Sequence, residues 1–120
     1  MHIFKALSDP VRWRIVEILA PGEHLSGEVS AAVTGQYGVG RAAVSKHLAI
    51  LRDDGWVAIY HPEGTERWYS LTEAFWGALS LEVGWLEYLW RRRIGTRSGV
   101  DTDPRLASTA DPFFRIVDDD

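Results

Sequence analysis

The 120-residue sequence predicts a mainly α-helical domain that carries one small β-hairpin. Three observations support that fold class. Apolar residues recur at three- and four-residue spacing through several segments, the period of a helix with one buried face. The stretches on either side of Pro62-Glu63-Gly64-Thr65 alternate instead, as paired strands do. "SDP" at Ser8 and "PG" at Pro21 interrupt the helical periods where turns are needed.

A short first helix spans about His2 to Leu7. Ser8 or Asp9 can cap the second helix, and Pro10 suits its first turn, where an N–H has no intrahelical partner to lose. That helix, "PVRWRIVEILA", places Val11, Ile15, Ile18 and Leu19 on one side and ends at Pro21-Gly22. A third helix starts at Leu25-Ser26, with Ser26 as N-cap and Val29, Ala32 and Val33 facing inward. "TGQYGVG" reads as a long glycine-rich turn; it has neither the preceding strand nor the following Lys-Ser/Thr of a phosphate cradle. Gly40 to about Asp54 forms the fourth helix, closed by Gly55 in a left-handed conformation. "WVAIYHPEGTERWYSL" supplies the hairpin, and Thr72 caps a last helix running to about Arg93. Two helices joined by a turn and followed by a hairpin are the plan of a winged helix-turn-helix, here covering residues 1–93. Residues 94–120 contain two Asp-Pro pairs and many small polar residues, and they read as an acidic, mobile tail in which "PFFRIV" is the one sticky segment.

The formal net charge of −4 argues against nucleic-acid binding, because neutralising phosphates supplies much of that affinity. Its distribution weakens the objection. Residues 1–93 hold ten Lys/Arg and eleven Asp/Glu, whereas residues 94–120 hold three Arg and six Asp. Cysteine is absent, which excludes disulfides, thiolate metal sites and a thiol nucleophile. No apolar run approaches the roughly 18 residues that span a bilayer. "MHIFKALSDPVRW" has no basic-then-apolar signal pattern, so a cytoplasmic protein without a membrane partner is expected. His2, His24, His47 and His61 are scattered with no ligand-spaced pair, so neither a metal nor another cofactor is expected. No Ser/His/Asp set or paired-carboxylate cleft is visible, and the chain does not read as an enzyme.

On a helical wheel, Val44, Leu48 and Leu51 of the fourth helix cluster on one side, with His47 at the margin. Ala42, Ser45, Lys46 and Ala49 fall opposite, and Arg41 stands at the N-terminal end. Small side chains permit close approach to a groove, alanine can meet a thymine methyl, and Arg or Lys can reach guanine or phosphate. The helix therefore reads as a DNA-reading element. At the wing, Arg67 is the best contact, but Glu63 and Glu66 beside it repel phosphate. Trp68 and Tyr69 suggest a stacking platform, yet alternation turns one of them into the core.

The last helix, "TEAFWGALSLEVGWLEYLWRRR", is apolar nearly all round. Trp76, Leu79, Val83, Leu86 and Trp90 form one seam, and Ala74, Ala78, Leu81, Trp85 and Tyr88 lie roughly opposite. A helix of one small domain needs a single buried face, so the second must meet a twin in a homodimer or line a pocket for an apolar ligand. Gly77 and Gly84 lie seven residues apart and each costs about 1 kcal/mol relative to alanine, a cost that a close helix approach would explain. Arg91, Arg92 and Arg93 suit the negative end of the helix dipole.

"FKALSDPVRWRIVEIL", "AAVSKHLAILRDDGWV" and "EGTERWYSL", taken in order, resemble the ArsR-type family of bacterial winged helix-turn-helix repressors over about residues 3–93. The resemblance implies a homodimer built through the first and last helices, which puts Phe4, Leu7, Leu81, Trp85, Tyr88 and Trp90 at the interface. It further implies a double-stranded operator with two-fold symmetry and a small-molecule effector, here unidentified, that releases the DNA. The family's reading-helix motif matches Arg41, Ala43, Ser45, Lys46 and His47, with Ala42 on the same exposed side, and its wing arginine matches Arg67. Metal-sensing members carry cysteines in the third helix or Asp/His ligands on the last; neither set is present. "GWLEYLW" is similar instead to a branch with a tryptophan-rich last helix and no metal-binding cysteines, often encoded beside START-like proteins. The "TGQYGVG" connector looks longer than the family's, which would shift the reading helix. The implied function is transcriptional repression; the alternative is a winged-helix module that binds a protein through its aromatic last helix and its tail. Three terminal Asp also allow an autoinhibitory tail that mimics phosphate.

Overall fold

The computed structural model describes residues 1–62 and 64–93. Their elements run α1 (Ile3–Leu7), α2 (Pro10–Leu19), β1 (His24–Leu25), α3 (Ser26–Tyr37), α4 (Arg41–Asp53), β2 (Val57–Tyr60), β3 (Trp68–Leu71) and α5 (Glu73–Arg93). The tail expected over residues 94–120, with "PFFRIV" and the terminal Asp run, lies outside the described residues, as does Glu63 of the wing.

Local side-chain chemistry sets the helix starts. Asp9, rather than Ser8, caps α2: its Oδ1 accepts from the backbone N–H groups of Val11 at 2.8 Å and Arg12 at 3.2 Å. Ser8 closes α1 instead, donating its hydroxyl to the Lys5 carbonyl at 2.7 Å. Thr72 caps α5 as expected, accepting from the Phe75 N–H at 3.1 Å while its hydroxyl donates to the Gly55 carbonyl at 2.7 Å. Gly55 takes the left-handed conformation that ends α4, with φ of 84°.

The third helix departs from expectation at both ends. Its extended N-cap is Leu25, not Ser26, and Glu28 reaches back to accept from the Leu25 N–H at 2.9 Å. The cause is β1, a strand of two residues too short to show alternation. It pairs antiparallel with β3, His24 opposite Tyr69 and Leu25 opposite Trp68, and so makes a sheet of order β1-β3-β2 from what reads as a bare hairpin. At the other end α3 continues through Thr34, Gly35, Gln36 and Tyr37 and stops at Gly38, with φ of 68°. The connector to α4 is therefore Gly38, Val39 and Gly40, not the longer turn expected. Within α3 the buried residues are Val29, Ser30 and Val33. Ala32 is exposed because the buried arc runs from Val29 through Val33 to Ser30, and Ala32 falls on the far side of Val29.

The core gathers Val11, Ile15 and Leu19 of α2, Val29 and Val33 of α3, and Val44, Leu48 and Leu51 of α4, closed by Val57 and Tyr69 of the sheet. Truncating Leu48 or Leu51 to alanine costs about 2–5 kcal/mol at such buried sites, so this apolar side firmly orients α4. A smaller cluster joins Ile3, Val16 and Phe75. It explains why Val16 is buried while Ile18, expected inside, is only half-buried. Of the aromatic pair in β3, Tyr69 faces the core and Trp68 is half-buried.

The chain divides into two units, Met1–Ser80 and Leu81–Asp120. In the first, α5 buries Phe75 and half-buries Ala78 and Leu79, while Trp76 stays 64% exposed. The seam expected to join Trp76 to Leu79 is thus split, since the inward face is centred between Phe75 and Leu79. In the second unit, Leu81, Val83, Trp85, Leu86, Tyr88 and Trp90 are all exposed. No helix among the described residues is long and apolar enough to cross a membrane.

Candidate nucleic-acid interface

With Val44, Leu48 and Leu51 locked inward, the opposite side of α4 is fixed by geometry. Arg41, Ala42, Ser45 and Lys46 are exposed, whereas Ala43 is half-buried near the N-terminus of the helix. The structure therefore places four of the six residues expected from this helix on one open surface.

His47 is placed differently. Its ring is half-buried against α2, with Nδ1 3.2 Å from Nη1 of Arg12 and Nε2 3.9 Å from Oδ1 of Asp9. A guanidinium can only donate, so Nδ1 accepts and the neutral ring carries its proton on Nε2, toward Asp9. The same Arg12 donates from Nε to the Ala6 carbonyl at 2.9 Å and from Nη2 to the Lys5 carbonyl at 3.3 Å. His47 is committed to this anchor. Partial burial pushes the Asp9 carboxyl up, but the backbone N–H groups of Arg12 and Val11 and the nearby His47 and Arg12 outweigh it, leaving its pKa below the usual value.

Beside the exposed side of α4 lies a groove of about 470 Å³ bounded by α3, α4 and β3. Arg41, Arg52 and Arg67 line it together with Ser26, Ser30 and Ser45, and among the described residues no acidic side chain does. Arg67 arrives there because its carbonyl accepts from the Ser26 N–H at 2.9 Å, which ties the base of the wing to the start of α3. Arg52 shares its guanidinium with Asp53 at 3.2 Å. Guanidinium and hydroxyl donors converging on one groove suit an anion such as a phosphate. Sequence reasoning found Arg41, Ser45 and Arg67 but missed Arg52, Ser26 and Ser30. For Arg52 the signal was present: eleven residues are close to three helical turns, so it shares a face with Arg41.

The residues expected at a dimer interface are distributed over both units. Phe4 is exposed on α1, while Leu7 is half-buried and packs against the cluster of Ile3, Val16 and Phe75. Leu81, 74% exposed, and Trp90, 60% exposed, stand out from α5. Trp85 and Tyr88 stack at 5.6 Å with 18° between their planes, and the Arg93 guanidinium lies 3.4 Å from the centroid of the Trp90 ring. Arg91 pairs with Glu87 at 3.3 Å. A Cβ built on Gly77 or Gly84 meets nothing within 4 Å among the described residues, so no close approach there accounts for either glycine. Among the described residues, no group of three His, Asp or Glu is placed to hold a metal ion.

No family model matches the chain. It is 28% identical over 85 residues to the transcriptional repressor SdpR of Bacillus subtilis, covering 71% of this chain and 86% of that protein. It is similar to the crystal structure of the transcriptional repressor BigR from Xylella fastidiosa at 32% identity and a TM-score of 0.51, over 68% of this chain and 81% of that one. The ArsR family transcriptional regulator RHA00566 matches at 25% identity and a TM-score of 0.60, over 77% of this chain and 90% of that one. The homodimeric winged helix-turn-helix DNA-binding domain of Mb0332 from Mycobacterium bovis matches at 26% identity and a TM-score of 0.54, over 73% and 79% of the respective chains.

Proposed function

Because the chain belongs to the ArsR-type family of winged helix-turn-helix transcriptional regulators, we propose that it is a homodimeric repressor that reads operator DNA with α4. The observation that carries this reading is the open side of that helix: Arg41, Ala42, Ser45 and Lys46 exposed, with no acid before Asp53. Seated in a major groove, Arg41 and Lys46 reach guanine edges or phosphates, and the alanines allow the backbone to approach. Ala43 lies at the edge of the contact. His47 acts by holding α4 against α2 instead of by touching a base. Arg41, Arg52 and Arg67, with the hydroxyls of Ser26 and Ser45, receive a backbone phosphate beside the groove.

The repressor role is supported by SdpR and BigR, and the two-fold arrangement by the homodimeric Mb0332 domain. The exposed apolar residues of α5 supply a surface for it, since α5 leaves Leu81, Leu86 and Trp90 in solvent. Two copies of α4 would then sit about 34 Å apart, one turn of DNA.

The test is fluorescence anisotropy on labelled DNA from upstream of the chain's own gene, titrated against salt and unlabelled competitor. Binding that resists competitor and saturates at two chains per site is the expected result. Binding that competitor abolishes at every upstream sequence tried would remove the operator reading.

A further inference from the structure

A groove of about 530 Å³ opens where α2, the end of β3 and the first turns of α5 meet, within Met1–Ser80. Its floor is apolar: Val16 and Phe75 are buried, and Leu71 and Leu79 half-buried. Two indoles border it, Trp13 at 44% exposed and Trp76 at 64% exposed. Two carboxylates, Glu17 and Glu73, also line it, and among the described residues no Lys, Arg or His does. Glu17 shares its charge with Arg14 at 3.5 Å, whereas Glu73 makes no ion pair among the described residues.

We propose that this groove binds a small organic cation with an apolar body, of the alkylated or quaternary ammonium class. A neutral apolar molecule gains from the floor but nothing from the carboxylates, and an anion is repelled by both. An alkylated ammonium satisfies every part of the lining. Its body covers Val16, Leu71, Phe75 and Leu79, its charge is attracted by Glu17 and Glu73, and an indole face adds the cation–π attraction that is strongest for tryptophan. The volume falls in the range of small-molecule sites. None of its lining residues belongs to the groove beside α4, so the site stands independently of the DNA-binding reading.

The test titrates the full chain with benzyltrimethylammonium by isothermal calorimetry, with benzenesulfonate as an anion of similar size. Saturable binding of one ammonium per chain is expected, with the sulfonate about tenfold weaker or undetectable. Trp13→Ala should weaken the ammonium by about fivefold, and a Glu17→Gln/Glu73→Gln double variant by a similar factor. Both changes replace exposed side chains, and unchanged circular dichroism checks the fold. Equal affinity for the sulfonate, no saturable heat, or indifference of both variants would overturn the proposal. So would a groove closed by a second copy, which would show as ammonium binding only at protein concentrations low enough to separate the copies.

Discussion

Arg12 donates from Nη1 to Nδ1 of His47 at 3.2 Å, joining the second helix to the one proposed to read DNA. Its Nε satisfies the Ala6 carbonyl at the end of α1, and its Nη2 adds a third donor to the Lys5 carbonyl, which the Ser8 N–H and hydroxyl also reach. One planar group therefore holds three elements in register. Arg12→Ala should lower unfolding stability by about 1–3 kcal/mol in urea titrations, because it takes the donor from the Ala6 carbonyl and from His47 Nδ1. Arg12→Lys should recover little of it, since an ammonium on a flexible stem does not reproduce a fork aimed at three acceptors. Full recovery by lysine would show that charge alone matters.

The exposed cations of α4 predict a different pattern. Arg41→Ala and Lys46→Ala should each weaken operator binding by about 1–3 kcal/mol with little change in stability, because neither side chain contributes to the core. Anisotropy titrations and urea midpoints on the same samples separate the two effects. Unchanged affinity in both variants would remove α4 from the groove.

Arg52 extends this to the phosphate groove. Arg52→Ala should weaken binding about equally on specific and unrelated DNA and reduce the slope of log affinity against log salt by about 1. A base-dependent loss would instead place Arg52 at a base edge.

Asp9 gives the protein an acid-sensitive joint. Its carboxyl titrates below the ordinary value in the fold, so the ionised form stabilises the native state at every pH above the unfolded pKa of about 3.9. That contribution is lost as pH falls from there through the folded pKa. Asp9→Asn keeps the N-cap acceptor but removes the titration. Between about pH 5 and about pH 3, urea midpoints should therefore fall less steeply for the Asp9→Asn variant than for the native chain. Parallel curves would assign the acid sensitivity to other carboxylates.

How much of this was legible depended on how local each cause is. Asp9, Gly55 and Thr72 act within a few residues of themselves, and their roles as cap, stop and cap follow from residue type and position. The inward row of Val44, Leu48 and Leu51 is likewise a matter of period. β1 was illegible because its two residues are strand only through pairing with Trp68 and Tyr69, more than forty positions away. That same pairing moved the N-cap of α3 from Ser26 to Leu25. Gly35 misled because glycine suggests a turn, yet α3 carries it to Tyr37. In the site, Arg41 and Lys46 could be read from one helix. The grip of Arg12 on His47 spans thirty-five positions and needed the packing of α2 on α4.

The glycines of α5 offer the sharpest test of the homodimer. Inside a helix, alanine is favoured over glycine by about 1 kcal/mol, and a Cβ at Gly77 or Gly84 meets nothing within 4 Å among the described residues. Judged on the single chain, Gly84→Ala should therefore be harmless or stabilising. If α5 packs closely on a second copy at these positions, the added methyl group pushes the helices apart. The expected outcome is a variant whose helix content is equal or higher but whose dimer dissociates at higher protein concentration, measured by sedimentation equilibrium. Leu81→Asp provides the control, removing apolar contact by charge instead of bulk, and should also shift the chain toward monomer. A Gly84→Ala dimer as tight as the original, together with an unaffected Leu81→Asp dimer, would move the interface off this helix.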